Sequence, residues 1–224
     1  MGRESRLKDN PDRARHNDAP RLAQMRQGGR YAVNGQVDIH EKARQTALHE
    51  AGHVVSAVML GLTVHFSILK VEINAVGGYT ELHFGQAQDN SVAARERVLR
   101  EATTPEMLRK RTIQVLAGEI AERALNRDEG DREVAAAGDM RAAERFAMLA
   151  TDASSYDEER VDRLVSDYIR ECEKAAGELL FSAVSAVNDL ARELYEHPNQ
   201  PVSGECLTAI IHEAERAAAT EQNG

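Results

Sequence analysis

The stretch TALHEAGHVVSAVMLG, residues 46–61, limits the possible folds more than any other part of this chain. Ala47, Leu48, Ala51, Val55, Val58 and Met59 recur at helical spacing, so the segment predicts a helix with an apolar stripe to bury. Its middle nevertheless holds two imidazoles and a carboxylate, at His49, Glu50 and His53. It also holds Gly52, which costs a helix about 1 kcal/mol relative to Ala. The flanking residues Leu48, Ala51, Gly52, Val54 and Val55 carry no charge, which suits a buried site. Asp38 followed by Glu41 has the spacing of a helix-capping box, and Gly61 is a plausible stop.

Residues four apart share a face of a helix, so His49 and His53 can offer two nitrogens to one ion, with Glu50 one residue round. HExxH is the zincin arrangement, in which two His bind Zn2+ and the Glu is general base toward a water that the metal acidifies. The absent side chain of Gly52 lets another backbone pass close to such a site. A zinc site of this kind needs a third protein ligand. Ser56 and Met59 stand where HExxHxxGxxH would place Gly and His, so that subclass is excluded. The carboxylates Glu72, Glu81, Glu119, Glu122 and Asp139 remain, and spacing does not choose among them.

The rest of the chain predicts a mainly helical α+β fold, with a small, mainly antiparallel sheet beside the HExxH helix. LTVHFSILKVEI is rich in β-branched residues and alternates at Val64, Phe66 and Ile68; a turn around 74–78 and a second strand, YTELHF, follow. Thr104-Pro105-Glu106 starts a helix carrying Leu108, Ile113, Leu116, Ile120 and Ala124. NRDEGDRE, 126–133, reads as a charged loop, and another helix begins near Gly138-Asp139. Residues 156–195 predict one long helix or two that break near Gly177, and Ser203 caps a last helix through about Ala219.

The formal net charge of -9 argues against a nucleic-acid partner and against an anionic membrane surface. Residues 1–40 hold eight Arg/Lys against five Asp/Glu, yet lack hydrophobic periodicity and contain Pro11, Pro20 and Gly28-Gly29. We therefore expect residues 1–37 to be a flexible basic tail, 38–220 one domain and 221–224 a disordered end. No glycine precedes any of the five lysines, so a phosphate-binding GxxxxGK[ST] loop is absent. No apolar leader or membrane-length segment is seen, which implies a cytoplasmic location. Cys172 and Cys206 match no metal or redox spacing and lie in apolar helical patterns, so both are expected to be buried free thiols.

TALHEAGH, VGGYTELHF, RTIQVLAGEIAERAL and GDMRAAERFAMLA occur in that order. Together they resemble the peptidase domain of the FtsH-type ATP-dependent zinc metalloproteases over about residues 40–215. The resemblance implies zinc held by His49, His53 and Asp139, Glu50 as catalytic base, and Glu122 holding a ligand imidazole in the right tautomer. Asp139 also has a plain structural reading, as a helix N-cap. Gly77, Gly78 and Tyr79 would form a strand edge beside the metal, where an extended polypeptide substrate binds; Tyr79 and His83 are further candidates as oxyanion donors. Gly138 stands where the family has Asn. The membrane helix and ATPase module of the family are not found, so the expected activity is on flexible or unfolded polypeptide, alone, as a homo-oligomer or with a regulatory partner. The alternatives are a non-catalytic interaction module that keeps the metal site, and a hydrolase of small amides.

Overall fold

The computed structural model describes residues 39–72, 75–83, 101–125, 136–152 and 156–221. Helix α1, Ile39–Met59, is its central element. Eleven consecutive residues, Ala47 to Ala57, are buried, so the helix is enclosed on every side rather than along one stripe. It ends because Gly61 adopts φ +72. The Gly61 N–H then donates to Val58 O and the Leu62 N–H to Ala57 O, a Schellman closure that only a residue free to enter the left-handed region makes cheaply. Leu62, buried, seals the turn.

Two strands follow, β1 (Thr63–Glu72) and β2 (Ala75–His83), paired antiparallel from Thr63↔His83 to Glu72↔Ala75 with an irregularity between Val64 and Phe66. The turn expected around 74–78 is therefore displaced: Gly77 and Gly78 lie within β2, opposite Lys70 and Leu69. Two glycines in a row signalled a turn, but a strand accepts them where another group approaches the backbone closely. Helix α2 (Pro105–Leu125) starts as expected, with the Met107 N–H donating to Thr104 Oγ1. Helix α3, Ala136–Ala150, begins before Gly138, which puts Asp139 inside its first turn and sets aside the N-cap reading.

The long helical segment is two helices, α4 (Glu158–Ser182) and α5 (Val184–Glu196), but the break is at Ala183 and not near Gly177. Burial of Cys172, Ala176 and Leu180 along one face of α4 outweighs the roughly 1 kcal/mol that a mid-helix glycine costs. A two-residue strand, β3 (Val202–Ser203), pairs antiparallel with β1 and gives the order β2-β1-β3. Nothing in the apolar pattern of so short a strand announced it. Asn199, at φ +66, extends that side of β1: its side chain bonds both the N–H and the carbonyl of Val71. Helix α6, Gly204–Glu221, runs two residues past the expected end, with the Cys206 N–H donating to Ser203 Oγ at its start.

α1 packs against α2, α5, β1 and β2, while α4 closes over α2. The structure bears out a mainly helical α+β class with a small antiparallel sheet beside the HExxH helix. The cysteine expectation is half corrected. Cys172 is buried, but Cys206 is exposed, because the buried face of α6 is set by Leu207, Ile211 and Ala214, one residue round. Among the described residues, no helix is long and apolar enough to cross a membrane. The expected tail, the charged loop and the last three residues lie outside the described residues.

Candidate metal centre

Three elements converge on the polar middle of α1. α2 crosses it at Gly52, where a Cβ would lie 2.5 Å from Ala117 O; this is the close backbone passage that the glycine suggested. The same face of α2 presents Gln114, Gly118 and Glu122, spaced four apart. At Gly118 a Cβ would lie 2.5 Å from Nε2 of His53 and 2.8 Å from Nε2 of His49. The first turn of α3 contributes Asp139, and β2 contributes Gly78 and Thr80, two residues apart and so on one face of the strand.

The hydrogen bonds at Nδ1 determine what each imidazole presents. Nδ1 of His53 lies 2.8 Å from the backbone oxygen of Gln114, which can only accept, so this nitrogen carries the hydrogen. Nδ1 of His49 lies 3.2 Å from Oε2 of Glu122, again an acceptor when ionised. In the neutral rings both Nε2 atoms are therefore bare lone pairs. They stand 3.1 Å apart, and Oδ2 of Asp139 lies 2.9 Å from one and 3.3 Å from the other.

With these tautomers three acceptors face one point without a hydrogen among them, an arrangement that a metal ion or a shared proton at that point satisfies. A tetrahedral ion with bonds of about 2.0–2.1 Å sets its donors roughly 3.3 Å apart, close to this triangle. The buried His-His-Asp group is thus able to hold a metal ion. Among the described residues, no other set of three His, Cys, Asp or Glu brings ligand atoms together in this way.

Without a metal, a proton takes the same place. Burial acts to lower the His49 pKa, but hydrogen bonds to Asp139 and Glu122, with the charges of Glu50 and Asp139, raise it to about 10. Burial acts to raise the Asp139 carboxyl, and the two imidazoles override it and hold it well below the usual carboxylate range. Both shifts share one cause, the contact between the His49 imidazole and the Asp139 carboxylate.

Glu50 is buried one residue round from His49 and is not in the ligand triangle. Its carboxylate lies against the backbone of Gly78, where a Cβ would come within 2.6 Å of Cδ, and Thr80 Oγ1 donates to its Oε2 at 2.6 Å. Gly77 faces open space. Tyr79 points the other way: the residue is 51 % exposed and its hydroxyl donates to Glu81 Oε2, so its side chain is not among the site groups and its suggested oxyanion role is set aside. The side chain of His83 lies outside the described residues.

The structure therefore brings His49, His53, Asp139, Glu50, Glu122 and Gly78 together. Of the other carboxylates, Glu119 pairs with Arg123 and Glu81 with Tyr79, and neither these nor Glu72 joins the cluster. Reading the sequence missed three participants: the Gln114 carbonyl, Gly118 and Thr80. Only Thr80 left a trace, as the residue that shares a strand face with Gly78. No protein-family model matches the chain, and a search of curated proteins finds no match.

Proposed function

We propose that this chain is a zinc-dependent endopeptidase acting on flexible or unfolded polypeptide, as its resemblance to FtsH-type peptidase domains implies. One observation carries the reading. Three acceptor atoms from His49, His53 and Asp139, with both imidazole tautomers set by Nδ1 partners, converge next to a buried carboxylate that is itself no ligand. Two imidazole nitrogens and one carboxylate oxygen suit zinc and leave its fourth position for water or substrate. Zinc held there supplies Lewis acidity to a water and to the scissile carbonyl.

The residues of the chain do the remainder. Gln114 O and Glu122 keep the two imidazoles in the ligating tautomer. Glu50 takes a proton from the attacking water and passes it to the leaving amine. Among the described residues β2 has one partner in the sheet, β1, and Gly78 on it touches Glu50. An extended polypeptide that adds to the other edge of β2 is held through backbone hydrogen bonds, which tolerates varied sequences and brings a peptide bond to Glu50. Such a site accepts chain that is already unfolded.

The test is digestion of a denatured protein such as casein by the zinc-loaded chain beside Glu50→Gln. Cleavage by the wild type and none by the variant is the expected result. No cleavage by either, with zinc bound in both, would sink the endopeptidase reading.

A further inference from the structure

The Glu50 carboxylate has one hydrogen-bond donor among the described residues, and it is Thr80. Thr80 Oγ1 lies 2.6 Å from Glu50 Oε2, within the range of a hydroxyl bonded to an ionised carboxylate. A carboxylate only accepts, so the Thr80 hydrogen points to Glu50. The lone pairs of Thr80 are then free to accept, and Ser67 Oγ stands 2.9 Å away. Ser67 is the residue directly opposite Thr80 in the antiparallel register and is fully buried. With the Thr80 hydrogen committed, Ser67 is the donor of the pair. A two-hydroxyl chain thus runs from Ser67 through Thr80 to one oxygen of Glu50, and Glu50 Oε1 makes no hydrogen bond among the described residues.

Strand geometry explains the selectivity of this chain. Gly78 and Thr80 share the face of β2 turned toward α1, while Tyr79 and Glu81 take the other. Gly78 leaves the volume that the carboxylate fills, and Thr80 fixes which oxygen is anchored. A Ser–Thr cross-strand pair satisfied on its own would only tie β1 to β2. Here one hydrogen leaves the pair and is spent on Glu50.

We propose that Thr80, backed by Ser67, is a positioning residue for Glu50. It holds Oε2 so that Oε1 is the oxygen that receives and returns the proton. This rests on the reading of Glu50 as general base, and the experiment separates the two. Zinc-loaded wild type, Thr80→Val, Thr80→Ser and Ser67→Ala are compared for zinc content, for kcat and KM on an unfolded substrate, and for the Glu50 carboxylate position in crystal structures.

Thr80→Val is expected to keep zinc and KM and to lose roughly 10- to 100-fold in kcat, a fraction of the roughly 10²–10⁴-fold that a general base contributes. Thr80→Ser restores most of it, and Ser67→Ala, which frees the Thr80 rotamer, falls between. The carboxylate leaves Gly78 in Thr80→Val and stays in Thr80→Ser. Wild-type kcat in Thr80→Val, an equal loss in Thr80→Ser, or an unmoved carboxylate in Thr80→Val would each overturn the assignment. If Thr80→Val does not fold, Ser67→Ala at wild-type kcat with its carboxylate unmoved overturns it instead. A wild type that binds zinc and cleaves nothing would sink the peptidase reading, while the crystallographic comparison still decides the positioning role.

Discussion

Gly118→Ala offers a test of the centre that substitutes none of the three residues able to hold the metal. The added methyl would sit 2.5 Å from Cε1 and Nε2 of His53 and 2.8 Å from Nε2 of His49, where ordinary contact begins near 3.4 Å. The rings would have to retreat by most of an ångström. They have little room, because each is tied at Nδ1, to Gln114 O at 2.8 Å and to Glu122 at 3.2 Å, and both lie on a helix enclosed by its neighbours. The alternative is to push α2 away from α1, which would open the close packing of the Ala117 backbone on Gly52. Overpacking of this kind costs about 1–3 kcal/mol. Displaced imidazoles should lower metal affinity by at least the roughly 10–100-fold seen when outer partners of metal ligands are lost.

The assay is a chelator-competition titration of metal affinity, run beside thermal unfolding of the metal-free protein. Gly177→Ala is the control: it is also a helical glycine, but an added Cβ there meets nothing within 4 Å, so it should leave affinity unchanged and raise stability by up to about 1 kcal/mol. Wild-type affinity and stability in Gly118→Ala would refute the geometry on which the centre rests.

Other predictions concern the groups behind the ligands. Glu122→Gln removes the charge at His49 Nδ1 but retains an acceptor, and should weaken metal binding less than Glu122→Ala, for which the expectation is roughly 10–100-fold by the same titration. In the metal-free protein, His49 has a folded pKa of about 10 against an ordinary value of 6.5. Its proton therefore adds stability that is complete below about 6.5 and is lost as pH rises toward 10, with a slope of at most about 1.4 kcal/mol per pH unit. Melting curves of chelated protein should fall across that window, and those of metal-loaded protein should not show this fall.

Much of the fold was legible because its signals are local. The helical character of α1, the Thr104-Pro105 start of α2, the strand at β1 and the Ser203 cap depend on residues near in sequence, and all recur in the structure, although the irregularity between Val64 and Phe66 moves the buried face of β1 from the expected Phe66 and Ile68 to Ser67 and Leu69. Signals that depend on distant surroundings misled or were silent. Gly77-Gly78 suggested a turn, since nothing nearby in sequence reveals that Glu50 fills the space above Gly78. Gly177 suggested a break, although the packing of Cys172, Ala176 and Leu180 carries the helix through it.

The site divides in the same way. His49, Glu50 and His53 share one helix and were visible as a spacing. Asp139, 90 residues beyond His49, could be singled out among five carboxylates only through the family resemblance, and the geometry places its Oδ2 at both Nε2 atoms. The backbone oxygen of Gln114 carries no side-chain signal, and Gly118 has no side chain to read. Each takes part only because α2 crosses α1 where it does.

The most direct measurement is the metal content of purified wild type, Asp139→Ala and Glu50→Gln after equilibration with zinc and removal of excess. One bound zinc per chain is expected in wild type and Glu50→Gln, and loss of it in Asp139→Ala. Full occupancy in Asp139→Ala, or loss in Glu50→Gln, would contradict the division between three ligands and one free carboxylate.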